Sequence, residues 1–139
     1  TMTQRPDLFG AVICAVPLLD MLRYHFLHAG ASWMGEYGDP DTPEDRAVIE
    51  RYSPFQNLDA NATYPEPFFW TNTRDDRVHP SHARRMVARM DEMGHPVLYY
   101  ENTEGGHGGG ADNTQLATTH ALELIYLKQK LMDEASSLT

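Results

Sequence analysis

At 139 residues and 41% hydrophobic content the chain has the size and apolar fraction of one globular domain, and no run approaches the ~18 apolar residues that span a bilayer. Its 11 basic and 20 acidic residues give a net charge of −9, which excludes the clustered lysine and arginine footprint of nucleic-acid binding. The single cysteine, Cys14, excludes a disulfide framework and points to a reducing compartment. The expected location is cytoplasmic, or periplasmic if a longer parent carried a signal peptide.

The opening residues, Thr1-Met2-Thr3-Gln4-Arg5, carry no signal-peptide pattern and do not read as a natural start. The chain is therefore expected to be the later part of a longer polypeptide. Residues 11–17 form a short apolar run between Gly10 and Pro17, which predicts a strand buried on both faces, as in parallel sheets. Residues 18–29 mix apolar and polar side chains at helical spacing. Thr42-Pro43-Glu44-Asp45 predicts a helix start, with a hydroxyl cap, proline at the first position and acids in the first turn. Residues 52–66, rich in Pro, Asn and Asp, read as a loop.

A second buried strand is predicted over residues 67–71, followed by a polar stretch from Asn72 to Arg77. Ala83, Met86, Val87, Met90 and Met93 recur at helical spacing and predict an amphipathic helix that Gly94 ends. Residues 97–100 predict a third strand. Beyond the glycine-rich stretch, Leu116, Ala117, His120, Ala121, Leu124, Ile125, Lys128 and Leu131 trace the core face of a long final helix. Strands alternating with helices predict an α/β fold, a parallel sheet with helices on both faces. Three strands alone would leave a wide exposed edge, so this sheet is expected to be half of a larger one.

Catalytic groups in open α/β sheets gather at the C-terminal ends of strands. The second strand runs into Thr73-Arg74-Asp75-Asp76-Arg77-Val78-His79-Pro80, and the third into Glu101-Asn102-Thr103-Glu104-Gly105-Gly106-His107. Adjacent parallel strands bring these ends together, so a carboxylate from one can orient a histidine from the other. Taken singly, the acids read equally as a solvated turn and the glycines as a flexible one. His79 with His82, and His25 with His28, have spacings that arise freely on helices. Without a second strong ligand cluster they predict no metal site, and no cofactor is expected.

The stretches Gln4-Arg5-Pro6-Asp7-Leu8-Phe9-Gly10-Ala11-Val12, Asp20-Met21-Leu22-Arg23-Tyr24-His25 and Trp33-Met34-Gly35-Glu36-Tyr37-Gly38 resemble the hydrolase domain of the prolyl oligopeptidase family. So do Tyr52-Ser53-Pro54, Asp75-Asp76-Arg77-Val78 with Pro80, and Gly106-His107-Gly108, all in the same order and spacing. The resemblance implies the C-terminal half of an α/β-hydrolase fold, residues 1–139 being a partial peptidase domain. It makes Asp75 the acid and His107 the base of a serine-peptidase triad. It also makes Arg77 the holder of a substrate carbonyl and Trp33 the aromatic that stacks on a substrate proline ring, with Tyr37 and Val78 lining the same pocket. Read from sequence alone, Trp33 is an ordinary core aromatic.

The family's nucleophile elbow, Gly-x-Ser-x-Gly, would lie upstream of Arg5. No such motif occurs in the chain, since none of Ser32, Ser53, Ser81, Ser136 and Ser137 has both flanking glycines. The strand with the oxyanion tyrosine and the substrate-gating propeller are likewise not in this sequence. Ala29 and Ser32 stand where bulkier or apolar pocket residues are common in the family, which weakens the case for strict proline selectivity. The expected partners are an oligopeptide substrate and the rest of the peptidase chain, with no nucleic acid and no membrane. Two further readings are a non-catalytic module that self-associates through its sheet edge, and an esterase or aminoacyl-peptidase variant with the same triad.

Overall fold

The computed structural model describes residues 1–133, so Ser136 and Ser137 lie outside the described residues. Strands β1 (Ile13–Ala15), β2 (Phe68–Asn72) and β3 (Leu98–Asn102) pair in chain order as a three-stranded parallel sheet. Successive side chains on a strand point to opposite faces, and the register turns that alternation into rows. The row Cys14, Phe69, Tyr99 faces one helical layer, where Phe69 meets Met86, Met90, Leu19, Leu58 and Tyr64. The flanking positions Ile13, Phe68, Trp70 and Tyr100 face the other way and pack with Tyr126 and Leu122. Helices therefore cover both faces, and the chain is the C-terminal half of an α/β-hydrolase fold.

The three strands are not buried alike. All five residues of β2 are buried, the apolar Phe68, Phe69 and Trp70 and the polar Thr71 and Asn72 alike. The both-face burial expected of the first strand does not hold: Ile13 and Cys14 are half-buried and Ala15 is exposed. The reason is position, since β1 is an outer strand with a partner on one side only. A cleft of about 400 Å³ opens along it, lined by residues including Met2, Phe9, Val12, Cys14, Leu19 and Met86.

Helix α3 (Ser81–Glu92) follows its predicted periodicity, burying Ala83, Met86 and Met90, and Gly94 leaves it at φ +79° while His95 N–H closes on Met90 O at 2.9 Å. The helix expected over residues 18–29 is replaced by two 3-10 turns, Tyr24–Phe26 and His28–Trp33. Leu27 is extended and His28 sits at φ +49°, so the chain changes direction between them. At Gly30 a Cβ would lie 1.7 Å from Tyr24 O, so the tight crossing admits only glycine.

A short helix α1 (Met34–Tyr37) continues from the second turn, and α2 (Pro43–Ile49) follows. Helix α2 begins as predicted, with Pro43 in its first turn, but Thr42 does not cap it. The Thr42 hydroxyl donates back to Asp39 O at 3.0 Å instead, while the Asp45 carboxylate accepts from Asp39 N–H at 2.8 Å. Met21, Tyr24 and Ile49 form a second small core here, with Trp33 and Met34 packed against it.

The loop after β1 is pinned to α3 by buried polar groups. His82, 1% exposed, accepts the N–H of Asp20 at Nδ1 (3.1 Å), and Asp20 in turn accepts from Gln56 Nε2 at 2.7 Å and pairs with Arg85. Burial pushes the His82 imidazole down to about 4, which keeps the ring neutral and its Nδ1 free to accept.

Helix α4 (Asn113–Lys128) exists where expected, running into a π turn, Gln129–Asp133, but it packs on a different face. Thr119 and Tyr126 are buried with Leu122 beside them, whereas Leu124 and Ile125 of the expected core face are 68% and 53% exposed. Apolar residues occur all round this helix, so spacing does not select the face. Polar anchors do: Tyr126 Oη donates to Glu66 O (2.7 Å) and accepts from Val12 N–H (2.9 Å), and Trp70 Nε1 donates to Glu123 (2.8 Å). Among the described residues no helix is long and apolar enough to cross a membrane.

Candidate active site

Parallel pairing sets the ends of β2 and β3 side by side, Asn72 opposite Asn102. The turn after β2 folds back at once: Asp75 N–H donates to Asn72 O at 3.2 Å, and the Asp75 carboxylate accepts the N–H groups of Arg77 and Val78, each at 2.9 Å. An aspartate binding the backbone a few residues ahead is ordinary turn chemistry. Here it also buries the carboxylate, which is 1% exposed, and fixes its direction.

The loop after β3 is held as tightly. Asn102 Oδ1 accepts from Glu104 N–H (3.0 Å) and Gly105 N–H (3.4 Å), while its Nδ2 donates to Gln115 on α4 at 2.8 Å. Asp112 caps α4 by accepting Gln115 N–H at 2.9 Å. At Gly105 a Cβ would lie 2.1 Å from Gly109 O, so the coil closes only with glycine there. Out of this coil His107 reaches back to Asp75, with Nδ1 at 2.9 Å from Oδ2 and 3.1 Å from Oδ1.

The carboxylate only accepts and already has two backbone donors on it, so His107 Nδ1 is the donor in this contact. Nε2 is the other nitrogen of the ring, on a side chain that is 31% exposed. A buried carboxylate bonded to a half-exposed imidazole can hold that ring in one orientation and steady a positive charge on it.

The neighbouring Glu101 braces this edge. It accepts from Thr73 Oγ1 (2.5 Å), Tyr99 Oη (2.6 Å) and Arg84 Nε (2.9 Å), joining both loops' roots to α3. The Arg84 guanidinium beside it holds the Glu101 carboxyl at about 2. Neither Glu101 nor the amides Asn72 and Asn102 stand out in the sequence. Their only signal is that three polar side chains occupy the last positions of two strands.

The other predicted residues are more scattered. Arg77 is exposed, and its carbonyl accepts Ala29 N–H at 3.3 Å, which ties the acid's loop to the turn carrying Trp33. Trp33 is half-buried against Met21, Tyr24 and Ile49. Tyr37 is 36% exposed and meets Tyr24 edge-on, whereas Val78 is buried at 6%. None of the four lines the cleft along β1 or a second cleft of about 260 Å³ between β3 and α4.

The histidine pairs come apart in the structure. His82 is committed to the Asp20 amide, His79 Nδ1 accepts from Ser81 N–H at 3.0 Å, and the rings of His28 and His79 lie 4.4 Å apart. His25 joins Asp39 and Asp41 in a group whose ligand atoms fall within 4.8 Å of one another. Internal bonds account for that group: Asp41 pairs with His25 Nε2 at 3.2 Å, and Asp39 accepts Asp41 N–H at 2.9 Å.

Fold and geometry together describe a hydrolase-type half-domain with an oriented histidine at its strand ends. Residues 1–134 match the model of the prolyl oligopeptidase family, a family of peptidases, and the chain belongs to it. It is 54% identical over 132 residues to an uncharacterized peptidase of Sinorhizobium fredii, covering 95% of this chain and 18% of that protein. It is 38% identical over 125 residues to a prolyl endopeptidase of Elizabethkingia miricola, covering 87% and 18%. Among solved structures, it overlays on a prolyl endopeptidase with a TM-score of 0.83 and 42% identity, covering 94% of this chain and 20% of that one. A post-proline cleaving enzyme from Rickettsia typhi gives 0.78 and 42%, covering 84% and 17%. The chain thus spans about a fifth of the length of these relatives.

Proposed function

We propose that this chain supplies the acid and the base of a serine-type peptidase that hydrolyses oligopeptides on the carboxyl side of proline. The single observation that carries the reading is the buried Asp75 carboxylate on His107 Nδ1 at 2.9 Å. His107 Nε2 takes the proton of a serine hydroxyl as its oxygen adds to the peptide carbonyl. The tetrahedral adduct then collapses as Nε2–H protonates the departing amine. Water, activated at the same nitrogen, releases the acid from the acyl-enzyme. Asp75 keeps the proton on Nδ1 and stabilises the imidazolium formed at each step.

Arg77 offers an exposed guanidinium on the same loop for a substrate carbonyl, and the half-buried Trp33 an indole for a proline ring, with Tyr37 and Val78 as further pocket residues by family resemblance. The serine is expected from a segment carrying Gly-x-Ser-x-Gly that packs along β1, whose free side and 400 Å³ cleft are apolar and open. A propeller that limits substrate length would accompany it.

The test is hydrolysis of a fluorogenic proline-containing peptide by the 139-residue chain alone and by the same chain joined to a family segment carrying the elbow. The expected outcome is no turnover alone and inhibitor-sensitive turnover when joined. Serine-inhibitor-sensitive turnover by the chain alone would overturn the reading, as would a joined enzyme indifferent to His107→Ala.

A further inference from the structure

The groups that hold His107 and its loop include Asp75 through its carboxylate, Asn102 through the loop's first residues, Gln115 through Glu104 and Ala111, and Asn72. The last is the least expected. Asn72 ends β2, is 1% exposed, and belongs to neither loop. Its Nδ2 donates to Gly106 O at 2.8 Å, the carbonyl of the peptide unit that leads into His107. Its Oδ1 lies 2.7 Å from where a Cβ of Gly105 would stand, so the amide is closed over by the loop itself. Its own carbonyl accepts Asp75 N–H at 3.2 Å. One residue on the central strand therefore holds the backbone of the acid's turn with its main chain and that of the base's loop with its side chain.

The remaining supports of the histidine loop do not do this. Asn102 reaches Glu104 and Gly105, before the histidine, and Gly109 N–H reaches Gly106 O at 3.1 Å from within the loop. Only the Asn72 amide, among the described residues, ties the loop at Gly106 to the strand from which Asp75 hangs. Gly106 and Gly108 flank His107 and have no side chains to fix its backbone, so the bond at the Gly106 carbonyl bears directly on how far the imidazole stands from the carboxylate.

We propose that Asn72 is the positioning residue of the acid–base pair, setting the distance between His107 and Asp75 by gripping the Gly106 carbonyl. The inference rests on the reading of Asp75 and His107 as that pair. It assigns Asn72 no contact with substrate: it acts through His107 alone.

The experiment is NMR of the 139-residue chain with isotope-labelled histidine, following exchange with water of the proton on His107 Nδ1. Asp75→Asn identifies that proton, because the variant loses the carboxylate acceptor. In Asn72→Ala and in the near-isosteric Asn72→Leu, exchange is expected to quicken by about tenfold, the loss of one hydrogen bond's hold. The His95 ring, bonded to Asp59 O at 2.9 Å well away from the site, should keep its signal and so report an intact fold. Wild-type exchange in both Asn72 variants, beside a clear Asp75→Asn effect, overturns the positioning role and leaves the acid–base reading standing. No difference between wild type and Asp75→Asn overturns both. Loss of the His95 signal in both Asn72 variants makes Asn72 a determinant of the fold, which also overturns the proposal.

Discussion

The two sides of the sheet are built to different standards. Between β2 and β3 five residue pairs are in register, every β2 side chain is buried, and both following loops are laced by side-chain amides and carboxylates. Along β1 three residues pair, Ala15 faces solvent, and an apolar cleft of about 400 Å³ stays open. The finished side carries Asp75 and His107, oriented by each other and by the backbone N–H groups and amides of the two loops. On the proposed function, the open side is where a nucleophile would arrive, so orientation of the pair is separable, within one fold, from delivery of the group it activates.

The largest effect that sharpens this contrast is chemical. In the chain joined to its elbow segment, His107→Ala should cost turnover on the order of a million-fold and Asp75→Asn about ten-thousand-fold, while peptide affinity changes little. Steady-state kinetics on a proline-containing peptide checks both, and a loss shared equally by KM would break the assignment.

Packing should show the same asymmetry. Phe69→Ala in β2 removes a ring that is 1% exposed and should destabilise by about 3–5 kcal/mol. Cys14→Ala, in the same row but on β1, should cost under about 1.5 kcal/mol, because the cleft already leaves that site half-filled. Urea denaturation of the two variants decides it, and comparable losses would mean that β1 is as well packed as β2.

The pin between the two sides is His82. Folding holds its ring neutral, so its contribution to stability is whole above the ordinary histidine pKa near 6.5 and is lost as pH falls toward 4. The loss should reach roughly 3 kcal/mol. Unfolding free energies of wild type minus His82→Gln, measured from pH 7 to 4, should shrink over that window, and a flat difference would refute it.

The smallest effect is on specificity. Trp33→Ala in the joined enzyme should raise KM for a proline peptide by up to about tenfold and leave a small ester substrate unaffected. Equal losses on both would favour the esterase variant of the site.

What the sequence made legible follows from which forces act locally. The strands and α3 were readable because β2 opens with the apolar Phe68, Phe69 and Trp70 and because Met86 and Met90 repeat at helical spacing. The site's acid and histidine were readable as neighbours because parallel pairing brings successive strand ends together. The face of α4 was not, because Tyr126 and Glu123 choose it through partners at Val12, Glu66 and Trp70 that no local pattern reveals. The turns over residues 18–33 were missed because Gly30 and the left-handed His28 act through a close backbone crossing. Asn72 was passed over because a polar residue at a strand's end looks like the start of a loop.

The hydroxyl of Tyr126 has a bearing on the order in which this segment assembles. It closes a bond to Val12 across 114 residues of chain, and Val12 O in turn accepts Phe68 N–H at 2.8 Å to start the β1–β2 ladder. The edge of the first strand therefore waits for α4 to leave the ribosome. Loop closure over such a separation is slow relative to local helix formation. During synthesis the β1 flank would stay unlatched longest, while the strands and helix that bear the acid need only the chain between them to come together.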